Sequence, residues 1–114
     1  MDMKYYHNLY TDDALLFQKR LILDDFKKGK YRFNLYLIVL TKNERNHLEF
    51  YDSVLLKQKV FSEEDLFIVG IADGYSGALE VVEKITTEVY KRTSSTDIRK
   101  YILNSQKEFE ERSV

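Results

Sequence analysis

Five consecutive residues, Asp73-Gly74-Tyr75-Ser76-Gly77, follow the apolar run Leu66-Phe67-Ile68-Val69-Gly70-Ile71-Ala72 and precede a long amphipathic stretch. A strand that turns tightly into a helix points free backbone amides and the positive end of the helix dipole at one spot. Phosphates and other small anions bind such spots. Residues 73–77 are therefore the candidate ligand site, and the strand-turn-helix at 66–79 is its frame. The glycine spacing matches neither the dinucleotide pattern nor a P-loop, and Asp73 puts a carboxylate where phosphate would go. The competing expectation is a plain structural turn, with Asp73 capping the helix.

Two other sets of residues could do chemistry. Glu49 and Asp52 near one strand end, and Asp65 and Asp73 flanking another, are hard oxygen donors of the kind Mg²⁺ or Ca²⁺ takes. No spacing motif makes them converge, so no metal site is expected. His7 and His47 are the only histidines, and neither has a serine or aspartate at a spacing that builds a nucleophile-base pair. No catalytic residue and no cofactor is expected. A pocket lined by several of Tyr36, His47, Tyr51, Asp73 and Tyr75 would favour the ligand reading.

The elements that must position these residues can be read from periodicity. Leu66 to Ala72 is apolar on both alternating faces, as in a central strand covered on two sides. Gly74 suits a positive backbone angle, and Gly70 and Gly77 admit close neighbours. The helix predicted over 75–92 has the face Tyr75, Ala78, Leu79, Val82, Ile85 and Val89. Glu80 with Lys84 and Glu88 with Arg92 form i,i+4 pairs outside.

Earlier in the chain, residues 1–10 carry Tyr5, Tyr6, His7, Leu9 and Tyr10 without a period, which reads as an aromatic arm or a short edge strand. Thr11 before Asp12 and Asp13 predicts a helix over 12–28 stopped by Gly29. Leu15, Leu16, Ile22, Leu23 and Phe26 share its inner face. Phe17 and Leu21 fall off that face, and a second surface of the same chain is expected to cover them. Lys19 interrupts the face and is expected to reach for solvent.

Residues 31–41 alternate, with Phe33, Leu35, Leu37 and Val39 on one side. Residues 47–52 are expected to pair back as a hairpin strand, the rival being one helix over 44–59. A short helix after Asp52, a solvated turn at 62–65 and a last helix with Ile98, Tyr101, Ile102 and Phe109 complete the chain. Its charged end, 105–114, is expected to fray.

The predicted fold class is α+β: one domain over 1–114, a small mixed sheet of three to four strands packed with three to four helices. With 18 Lys and Arg against 19 Asp and Glu the charge is balanced, so no nucleic-acid footprint exists. No apolar run approaches a membrane span. The N-terminus shows no signal pattern, and cysteine is absent, so the cytoplasm is the expected compartment. Two functions remain: a non-enzymatic binding or homodimeric assembly module burying Phe17, Leu21 and the Tyr5-Tyr6 arm, or a small anion-binding domain using 73–77.

Overall fold

A computed structural model describes residues 3–30, 33–42, 47–58 and 66–112. The chain runs β1 (Met3–Thr11), a 3-10 turn (Asp13–Leu15), α1 (Lys19–Lys27), β2 (Leu35–Leu40), β3 (Leu48–Asp52), a 3-10 segment (Ser53–Gln58), β4 (Leu66–Asp73), α2 (Gly74–Thr93) and α3 (Ile98–Arg112). The strands form one mixed sheet in the order β1-β4-β2-β3. β4 lies inside it, parallel to β1 and antiparallel to β2, and β2 and β3 make the antiparallel hairpin. The architecture is α+β with three α-helices.

The sheet is covered on both faces. Tyr6, Ile38, Val69, Ala72, Val81, Ile85, Val89 and Ile102 form the core beneath α2 and α3. Leu9, Leu15, Ile22, Phe26, Leu37, Val39, Ile68 and Ile71 form the core beneath α1. Ile68 and Val69 feed opposite cores, the reason β4 reads apolar at every position. Gly70 serves a close approach: a Cβ there would stand 2.9 Å from Val81 Cγ1 and 3.2 Å from the Tyr10 carbonyl oxygen.

Several expectations are corrected. Of the two alternatives for the N-terminal residues, the edge strand is the one formed, by β1 over Met3–Thr11. Alternation along it sends Tyr6 and Tyr10 to one core and Tyr5 and Leu9 to the other, and its register against β4 shifts between Tyr5 and Tyr10. The helix over 12–28 is broken. Thr11 is still paired with Ile71, so Asp12 supplies the cap and a 3-10 turn and a bend precede α1. Gly29, φ +81°, ends α1 as expected. Phe17 and Leu21 are not covered by the described residues: they are 97% and 59% exposed.

β2 starts only at Leu35, because Asn34 takes a left-handed φ of 67°. Phe33 is thereby thrown out of the alternation and is 86% exposed. On α2 the buried face turns toward Val81, leaving Tyr75 and Leu79 exposed. The i,i+4 pairs Lys84–Glu80 and Arg92–Glu88 form at 3.1 and 3.2 Å. The one-helix alternative over 44–59 is excluded by β3. α3 continues to Arg112, across the charged stretch whose composition predicts fraying. The turns expected at 43–46 and 62–65, and Asp65, lie outside the described residues.

Candidate functional site

β1 and β4 run parallel, and at their shared C-terminal end the chain leaves β1 toward the α1 face and β4 toward the α2 face. Crevices between strands whose connections diverge in this way are where α/β sheets hold ligands. Here the crevice contains a side chain of the protein itself. Asp12 is 3% exposed. Its Oδ1 accepts the Leu15 N–H at 3.1 Å and its Oδ2 accepts the Asp73 N–H at 2.9 Å.

Asp12 thus closes the 3-10 turn and the β4–α2 junction with one carboxylate. Gly77, in the first turn of α2, makes the room, since a Cβ there would overlap Asp12 Oδ2. A negative group beside the start of a 20-residue helix is also well placed in the helix dipole.

The five predicted residues divide accordingly. Gly74 and Gly77 are buried. Gly74, φ +77°, donates its N–H to the Asn34 carbonyl at 2.9 Å, which ties α2 to the start of β2. Asp73, Tyr75 and Ser76 are exposed. Asp73 stands at the cap position, but its side chain makes no capping hydrogen bond; Asp12 receives the Asp73 amide instead. Sequence reasoning missed Asp12 as the resident of this crevice. The signal was its position directly after an aromatic-rich strand, read there as helix capping alone.

Of the pocket set, Tyr36 and Tyr75 meet edge-to-face at 6.4 Å and share Phe50, whose ring centroid lies 5.5 Å from that of Tyr75. Tyr51 lies on the opposite face with the α1 core. Burial, with Glu49 nearby, pushes its hydroxyl up to about 12. His47 is at the other end of the sheet, where its Nδ1 accepts the Arg99 N–H at 3.3 Å at the start of α3. No cavity gathers the five.

Among the described residues the acids do not converge. Asp52 is engaged by the Asn34 and Val54 amides, each at 3.1 Å. Among the described residues no three His, Asp or Glu side chains come together as a metal ion would require. His7 sits beside Ser105, its Nε2 2.8 Å from Ser105 Oγ, but Ser105 also accepts the Tyr6 hydroxyl at 2.8 Å. His7 stacks on Phe109 and its backbone N–H goes to Gln106 Oε1 at 2.8 Å. These contacts dock α3 along the edge strand β1.

A groove follows the outer face of α2, and several of the charges that line it are paired with one another. Lys84 holds Asp13, Glu80 and the Thr11 carbonyl, while Glu88 takes Arg92 and the Tyr10 hydroxyl. Its Asp13 bond, with Glu80 adding to it, raises the Lys84 ammonium above its ordinary range, and burial with the Glu88 bond raises the Tyr10 hydroxyl.

The α1 face is different in kind. A depression of about 270 Å³ there is lined by Ala14, Leu15, Gln18, Ile22, Phe33, Leu35 and Asp73, so one residue of the predicted 73–77 site borders it. Around it the exposed large side chains Leu16, Phe17, Leu21 and Phe33 belong to the same turn, helix and β2 approach.

Fold and surface together define a two-faced α+β sheet domain with Asp12 seated in its strand-end crevice and with Leu16, Phe17, Leu21 and Phe33 exposed on its α1 side. No family model, no curated protein and no solved structure matches the chain. Among the described residues no helix is long and apolar enough to cross a membrane.

Proposed function

We propose that this protein is a non-enzymatic assembly module that associates through the α1 side. The observation that carries the reading is Phe17, 97% exposed, with Phe33 86% exposed on the same side. Taking ~150–250 Å² for each aromatic side chain, the four apolar residues offer on the order of 500 Å², the scale of patch that marks an interaction site.

The alternative, a small anionic ligand at 73–77, has the Asp12 carboxylate against it. That group already accepts the Asp73 amide and puts a negative charge beside the start of α2, where such a ligand would sit.

Light scattering over a wide concentration range tests the reading. Mass that rises with concentration in the wild type, and does not rise in Phe17→Ser, supports it. A wild type that stays at 13.6 kDa at every concentration overturns it.

A further inference from the structure

The exposed apolar side chains of α1 and of the turn before it are bordered by Arg20 and Asp24, two charges of opposite sign. Phe17 and Leu21 are four residues apart on the outer side, and Arg20 and Asp24 are exposed beside them. Neither charged side chain has an ion-pair partner among the described residues, although Lys4, Lys84 and Arg92 all find acids. Arg20 and Asp24 lie two residues either side of Ile22, which is buried and marks the level of the helix's inner contact.

A two-fold axis crossing α1 at the level of Ile22 places Arg20 of one copy level with the partner's Asp24, and the reverse. Both charges are then paired at once. The same operation brings the two Leu21 side chains within about 3 Å of each other along the helix axis, at ~1.5 Å rise per residue. It also extends each Phe17 toward the end of the partner's α1. Self-complementarity of this kind is what an isologous interface demands, because every contact must occur twice. A specific interface covers about 600–800 Å² per partner. The apolar patch with the stems of Arg20 and Lys28 around it approaches that size.

We infer that the occupant of the α1 face is a second copy of this chain, docked α1 against antiparallel α1, with Leu21 at the centre, Phe17 and Phe33 flanking it, and Arg20 facing the partner's Asp24. The inference rests on the assembly reading above and fixes its partner and geometry.

Charge reversal tests it. Arg20→Glu sets acid against acid at both symmetric contacts, and Asp24→Lys sets base against base. Each single variant is expected to dimerise about tenfold more weakly than the wild type. The double variant Arg20→Glu/Asp24→Lys restores opposite charges and with them the association. An equimolar mixture of the two single variants is expected to associate more tightly than either alone, since a chain with two acids meets a chain with two bases. Thermal midpoints of the dilute single variants near the wild-type value show that both fold.

A wild type that is monomeric throughout overturns the assembly reading and this inference with it. A wild-type dimer indifferent to the charge reversals, or a mixture no tighter than its components, overturns the antiparallel α1 pairing and leaves assembly standing.

Discussion

The carboxylate of Asp12 rests against the bare Cα of Gly77, and the two residues, 65 positions apart, are each shaped by the other. Asp12 needs the gap that a missing side chain leaves in the first turn of α2. α2 in turn receives a buried negative group at its positive end. The contact joins the end of β1 to the start of α2, the two places among the described residues where a strand of the parallel pair hands over to a helical segment.

Gly77→Ala is therefore expected to be among the most damaging small substitutions in the chain. The added methyl overlaps Asp12 Oδ2 and must push the carboxylate off the Asp73 and Leu15 amides. Overpacking with a lost buried hydrogen bond costs about 3 kcal/mol. Urea unfolding measures it, and a double-mutant cycle with Asp12→Gly separates the cause. If the clash with Asp12 is the source, the double variant loses clearly less than the sum of the two singles. Strict additivity would show that the alanine is harmful for some other reason.

Removing the carboxylate instead should open an anion site that the native protein fills for itself. Asp12→Gly leaves two amides and the α2 dipole end facing a small buried gap, at a cost of about 2–4 kcal/mol. Formate or acetate can enter that gap and take up the same amides. Their addition is expected to raise the thermal midpoint of Asp12→Gly and to leave the wild type unmoved, because selective binding to the folded state stabilises it. Equal response of both proteins would show that the gap is not a carboxylate-shaped site.

How much of this was legible in the sequence follows from the range of the interactions involved. The strand at 66–72, the helix after it and the Glu80–Lys84 and Glu88–Arg92 pairs are written in local periodicity. They could be placed without knowing what they touch. Gly74 was legible for the same reason, since a strand-to-helix turn asks for a positive φ.

The Asp12–Gly77 contact was not legible, because it depends on β1 lying parallel to β4 and no local pattern encodes that pairing. The phase of α2 differs by one position, Val81 in place of Val82, because both are apolar and only the sheet decides which is covered. Phe33 was misplaced because a single left-handed residue, Asn34, ends the alternation just before β2. Phe17 and Leu21 fall off the inner face as their spacing requires, and among the described residues nothing covers them.

Alkaline pH is expected to unfold the protein earlier than its balanced charge suggests. Burial raises the hydroxyls of Tyr6, Tyr10 and Tyr51, the last to about 12 from 10.0. A raised folded value means that the folded state keeps the proton more tightly than the unfolded chain. The contribution is therefore complete below the unfolded value and is lost as pH climbs through the folded one. For Tyr51 alone the loss between pH 10 and 12 is roughly 2–3 kcal/mol. Lys84, raised by Asp13 and then Glu80, works in the same direction. Thermal midpoints should fall steeply above pH 10 and the phenolate absorbance should rise together with unfolding. Tyr51→Phe should flatten part of that fall, and an identical slope would place the sensitivity elsewhere.

The docking of α3 on β1 gives the last prediction. Tyr6 is 3% exposed, yet its hydroxyl reaches the part-buried Ser105 Oγ at 2.8 Å, and His7 Nε2 meets the same oxygen. Ser105→Ala strips the acceptor from a phenol that burial has already separated from water, so it should cost about 1–2 kcal/mol. Tyr6→Phe removes the donor and leaves the ring in the core with Ile98 and Ile102. Because an unpaired buried group costs more than a missing pair, adding Tyr6→Phe to Ser105→Ala should recover part of the loss. Amide hydrogen exchange in α3 locates the effect. Faster exchange confined to residues 98–112 in Ser105→Ala, reversed in the double variant, is the expected result. Exchange that quickens evenly over the whole sheet would mean that α3 is held by its apolar face alone.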